Sequence, residues 1–97
     1  HRLVLVSNTD QIHFTYSQGH FDVLRVFDQH FLSYAIGLLK PDPEFFLQVL
    51  GNLEAAPVDC VFIDDVVENV ESTRSLGIPA SQFQGNAELQ AALDAVL

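Results

Sequence analysis

Ninety-seven residues are enough for one compact domain and too few for two, and a chain that is 48% hydrophobic with eight Phe does not have the composition of a disordered segment. The net charge of −9, from 13 acidic residues against four basic ones, argues against binding nucleic acid, because phosphate backbones demand clustered cations. The single cysteine, Cys60, excludes an intrachain disulfide or a multi-cysteine metal site.

The chain opens with Leu3-Val4-Leu5-Val6, a continuous apolar run of the kind expected for a strand buried on both faces of a parallel sheet. Ser7-Asn8-Thr9-Asp10 follows, and its small polar side chains predict a helix start near Thr9 or Asp10. Weak helical character continues to about Phe27, broken near Gly19. Phe31 to Ala35 fits a second strand, with a loop through Gly37, and Phe14, Phe21, Phe27, Phe31 and Tyr34 are expected to pack the sheet face. Lys40-Pro41-Asp42-Pro43-Glu44 predicts a firm helix start: Asp42 caps, Pro43 suits the first helical position and Glu44 complements the helix dipole. Phe45, Phe46, Val49, Leu50 and Leu53 recur at helical spacing as its buried face, and Pro57 closes the unit.

Cys60-Val61-Phe62-Ile63 reads as the next buried strand, with Cys60 as a small buried hydrophobe, and it ends in Asp64-Asp65. A helix from about Glu68 to Leu76 stops at Gly77, Ile78 to Phe83 holds a short strand, and Asn86 caps a last helix carrying Leu89, Leu93 and Val96. No apolar stretch approaches the roughly 20 residues that span a bilayer, and no signal-peptide pattern is present, so a cytoplasmic protein without membrane contact is expected. The alternation of strands and helices predicts an α/β fold with a parallel sheet, whose ligands bind at the carboxyl ends of the strands.

The polar residues gather at those ends. Ser7-Asn8 and Asp64-Asp65 terminate the two most apolar strands, and the only lysine, Lys40, stands just before a helix. In a doubly wound sheet these three places share one rim. A hydroxyl, a backbone amide at a helix N-terminus and an ammonium group make a phosphate cradle, and two adjacent carboxylates offer hard oxygen ligands for Mg²⁺. Taken singly, Ser7 and Asn8 also suit helix capping, and Lys40 suits a solvated surface. Asp64-Asp65 is harder to place structurally, because like charges beside an apolar strand repel unless a cation compensates. His13, His20 and His30 lack the paired spacing of a helical metal site, and a surface or core-edge role is expected of His13.

With those residues in order, the chain resembles the haloacid dehalogenase (HAD) superfamily of hydrolases, in its capped, phosphatase-like branch. Leu3-Val4-Leu5-Val6-Ser7-Asn8 is similar to the family's second motif, Lys40 within Gly37-Leu38-Leu39-Lys40-Pro41-Asp42-Pro43 to the third, and Phe62-Ile63-Asp64-Asp65 with Asn69 to the fourth. The resemblance implies a Rossmann-like parallel sheet with flanking helices and Mg²⁺-dependent hydrolysis of a small phosphorylated substrate through an aspartyl-phosphate. It assigns Ser7 and the Asn8 amide to the phosphoryl oxygens, Lys40 to charge neutralisation, Asp65 to direct metal ligation, Asp64 to ligation through water or orientation of the site, and Asn69 to bracing the loop. The doubly acidic pair favours phosphatase over dehalogenase chemistry. A response-regulator receiver also combines acids, a hydroxyl and a lysine, but with the acids first in the chain and the lysine last.

The family's first motif, an Asp-x-Asp that supplies the nucleophile and the general acid–base, is not found in these residues. By family topology its strand lies between those ending at Ser7 and Asp64. Residues 1–97 are therefore expected to be the C-terminal portion of a single core domain, its sheet completed by an upstream segment, and inactive alone. The alternative is a non-catalytic domain or pseudoenzyme that keeps the fold for an interaction role.

Overall fold

In the computed structural model, which describes residues 1–20, 22–87, 90 and 94, the chain divides into two compact units, His1–Lys40 and Pro41–Leu97. It is an α/β fold of short parallel strands and flanking helices, and among the described residues the strands form two two-stranded sheets.

In the first unit, β1 (Val4–Ser7) leads through α1 (Gln11–His20) and a 3-10 turn (Asp22–Val26) to β2 (Gln29–Leu32). A helical connection lets β2 lie parallel to β1, in the register Val4 to Gln29 through Ser7 to Leu32. The start of β1 is tied by reciprocal bonds, Leu3 N–H to the Asp28 carboxylate at 2.8 Å and Asp28 N–H to the Leu3 carbonyl at 2.7 Å. Asp10 caps α1: its Oδ1 accepts from the His13 amide at 2.9 Å and its carbonyl from Phe14 N–H at 3.0 Å. Phe14, Phe31 and Leu32 are buried, and the His30 ring meets Phe14 edge-on at 5.1 Å.

The second strand ends sooner than its apolar pattern suggests. Ser33 to Ile36 turn into a short helix, α2, which Gly37 ends at φ 83°, a left-handed conformation that glycine adopts without steric cost. Tyr34 is consequently 44% exposed and off the sheet face, while Phe27 is half-buried. Phe21 lies outside the described residues.

The second unit starts at α3 (Pro43–Leu53), where the Asp42 carboxylate accepts from Glu44 N–H at 3.0 Å and Pro43 occupies the first turn. Phe45, Phe46, Val49 and Leu50 are buried along one face, and Leu53 is half-buried. A 3-10 turn (Pro57–Asp59) precedes β3 (Phe62–Asp64), which begins two residues later than its hydrophobic run. Cys60 stays outside the strand and is half-buried, and its Sγ lies 3.6 Å from the Ala56 carbonyl. Helix α4 (Val67–Ser75) returns the chain to β4 (Ala80–Gln82), parallel to β3, with Phe62 opposite Ala80 and Asp64 opposite Gln82. Gly77, at φ 83°, follows α4, and Arg74 closes that end with two bonds to the Ala80 carbonyl, at 3.1 and 2.9 Å. Phe46 meets Phe62 edge-on at 5.3 Å, and Val70, Thr73 and Ile78 are buried.

The strands β1 and β3 are half-buried rather than enclosed on both faces. Each has one hydrogen-bonded neighbour among the described residues, so the enclosure a central strand receives in a wider sheet is not reached. Of the expected last helix, Asn86, Ala87, Gln90 and Asp94 are helical, and Leu89, Leu93 and Val96 lie outside the described residues.

Candidate functional site

The first unit brings Ser7, Asn8 and Lys40 into one neighbourhood. Ser7 is the last residue of β1, half-buried, and no hydrogen bond engages its hydroxyl among the described residues. The chain then leaves the sheet toward α1, and two side-chain bridges hold this exit. Asn8 makes a reciprocal pair with the backbone of Lys40: Oδ1 accepts from its N–H at 2.9 Å, and Nδ2 donates to its carbonyl at 3.0 Å. The buried Ser33 hydroxyl does the same for Thr9, accepting from its N–H at 2.9 Å and donating to its carbonyl at 2.8 Å. Lys40 itself is half-buried.

Asp10 and His13 form an exposed hydrogen-bonded pair across the first turn of α1. The His13 backbone N–H, and then its imidazole, hold the Asp10 carboxyl below its ordinary pKa.

The second unit places Asp64, Asp65 and Asn69 together at the carboxyl end of β3. The two carboxylates differ in surroundings. Asp64 is half-buried and engaged at both oxygens: Oδ1 accepts from Val66 N–H at 2.9 Å, and Oδ2 from the buried Asn69 amide at 3.1 Å. Asp65 is exposed, and no protein donor engages its carboxylate among the described residues. The backbone of the pair is fixed from β4, since Phe83 N–H donates to the Asp64 carbonyl at 2.7 Å and Gln82 Nε2 to the Asp65 carbonyl at 3.1 Å. These bonds hold the backbone of the pair and leave the Asp65 carboxylate oxygens unspent.

Among the described residues, no three His, Cys, Asp or Glu side chains gather as a metal-holding group. Two adjacent carboxylates, one committed to its loop and one open, still fit Mg²⁺ by donor type, because that ion takes one or two carboxylates and fills its octahedron with water and substrate oxygens. No helix among the described residues is long and apolar enough to cross a membrane.

Sequence reading did not single out Ser33 or Gln82. Both work through backbone partners 24 and 17 residues away, and a serine after an apolar run carries no sign of such a partner.

A family model and a solved structure name the same family. The model of haloacid dehalogenase-like hydrolases matches residues 1–77. A drimenol cyclase of Aspergillus calidoustus is 37% identical over 89 residues, which is 92% of this chain and 17% of that protein. Flavin mononucleotide hydrolase 1 of Arabidopsis thaliana is 44% identical over 54 residues, 56% of this chain and 22% of the relative. A HAD family enzyme of Bacteroides thetaiotaomicron, crystallised with magnesium and inorganic phosphate, superposes with a TM-score of 0.79 at 31% identity, covering 84% of this chain and 45% of its own. The chain thus spans under half the length of each of these proteins.

Proposed function

Because the chain belongs to the haloacid dehalogenase-like hydrolases, we propose that the protein carrying it hydrolyses a phosphate monoester of a small metabolite in a Mg²⁺-dependent reaction. The carrying observation is the division of labour at the end of β3. Asp64 is braced by Val66 N–H and Asn69, whereas the Asp65 carboxylate stays open to a cation. An acidic pair without a cation would leave mutual repulsion beside an apolar strand; with one it becomes a ligand set.

In this reading Asp65 ligates Mg²⁺ directly, and Asp64 orients the loop or ligates through water. Bound there, the ion supplies charge neutralisation that lets a carboxylate approach an anionic phosphoryl group. Ser7 donates its uncommitted hydroxyl to a phosphoryl oxygen, and the Asn8 backbone amide donates to another. Lys40 places its ammonium against the charge that persists through phosphoryl transfer. Asn69 keeps Asp64 in its rotamer. The nucleophile and its strand are assigned to an upstream segment. A cytoplasmic setting is part of the proposal, in keeping with the acidic balance of the chain.

The test is phosphate release by the full-length protein from a panel of phosphate monoesters, with and without Mg²⁺, beside residues 1–97 alone. Turnover that requires Mg²⁺ is expected from the full-length protein and none from the shorter chain. A panel without a single Mg²⁺-dependent substrate overturns the assignment, and an upstream sequence lacking Asp-x-Asp after an apolar strand points instead to a non-catalytic role.

A further inference from the structure

Lys40 is assigned to the phosphoryl group, yet its side chain is a flexible four-carbon stem that can place its ammonium widely. What limits that spread is where its backbone is held. The peptide units flanking its Cα meet one side chain twice, through the Asn8 amide at 2.9 and 3.0 Å. A primary amide offers a donor and an acceptor in one plane, and so matches the N–H and C=O of a single residue. Aspartate of the same shape keeps the acceptor and loses the donor, and alanine loses both. The neighbouring bridge between Thr9 and Ser33 holds the start of the same segment, whose far end is Lys40.

We propose that the Asn8 side chain is a positioning residue for Lys40. Through this two-bond clamp it fixes the backbone from which the ammonium reaches the phosphoryl group. The inference rests on the assignment of Lys40 to phosphate and adds a role for Asn8 beyond its backbone amide, which substitution by alanine or aspartate leaves in place.

A double-mutant cycle in the full-length protein tests it, with Asn8→Ala, Lys40→Ala and the double variant, read as the Kd of inorganic phosphate in the presence of Mg²⁺ and as kcat and KM on a chromogenic phosphate monoester. Asn8→Ala is expected to weaken phosphate binding about tenfold in the parent, and less than about twofold once Lys40 is already Ala. The loss in the parent falls on kcat more than on KM, since the ammonium counts most where charge develops. Asn8→Asp retains one bond of the clamp and keeps the cycle readable if the alanine variant does not fold. Equal losses in both Lys40 backgrounds, accompanied by a lower Tm, overturn the proposal and leave Asn8 a purely structural residue. If Lys40→Ala alone changes neither phosphate binding nor turnover, the assignment of Lys40 is what fails, whatever Asn8 does.

Discussion

Asp64 and Asp65 are adjacent in sequence but are held by different means, and the residue that separates their roles is Asn69. Its amide is buried and donates to Asp64 Oδ2 at 3.1 Å, so truncating it frees one oxygen of the braced carboxylate and loosens the loop that directs Asp65. Under the proposed Mg²⁺ assignment, Asn69→Ala is expected to weaken metal activation about 10- to 100-fold, the usual cost of removing a partner behind a ligand. An unchanged Mg²⁺ midpoint in a turnover titration contradicts that role. Asp10 gives a second test at this scale. Its folded-state pKa lies below the unfolded one, held down first by the His13 backbone N–H and then by the imidazole. The unfolded chain therefore binds more protons in acid. The stabilisation is complete above the ordinary aspartate pKa of about 3.9 and is lost as pH falls through the lower, folded value. Urea midpoints measured from pH 6 to pH 2 should drop more steeply for the parent than for Asp10→Asn; parallel curves refute this.

Among the elements, α3 was the most legible in the sequence, because the chemistry that starts it is local. Asp42, Pro43 and Glu44 are neighbours along the chain, and each acts within one turn of its own position. Asp42→Ala removes the carboxylate that accepts Glu44 N–H and should cost about 1 kcal/mol, measurable as a lower urea midpoint at unchanged m-value. Strand ends were less legible. Apolar residues resume after Ser33 with Tyr34, Ala35 and Ile36, so one small polar residue is all that marks Leu32 as the last strand residue. The switch into α2 is made by Ser33, whose hydroxyl bonds to Thr9 a full crossover away, and by Gly37, whose left-handed φ ends the turn. Cys60 and Val61 mislead in the same way. They extend the apolar run of β3, while the pairing with β4 begins only at Phe62. Composition marks what is apolar, and the partner strand decides which part of it becomes sheet.

For the molecule as a whole, the alternation of strands and helices sufficed to read an α/β fold with parallel pairing, and the order of Ser7, Lys40, Asp64 and Asp65 sufficed to name a family. The supporting shell was not legible. The Asn8 clamp spans 32 residues and the Thr9–Ser33 pair spans 24, and each joins a common polar side chain to a backbone group, which leaves no periodic or compositional trace. The same limit applies to the acidic pair: the sequence gives two equivalent aspartates, and only folding commits one of them to its loop and leaves the other exposed. The proposed Mg²⁺ chemistry therefore rests on Asp65. Its most direct test is the Mg²⁺ dependence of phosphate release by full-length Asp65→Asn, a change that keeps the shape of the side chain and removes its charge. The variant is expected to lose about 100-fold or more in kcat/KM at millimolar Mg²⁺, with part of the loss recovered as the metal concentration rises. Parent-like activity with a parent-like Mg²⁺ midpoint in Asp65→Asn would contradict it.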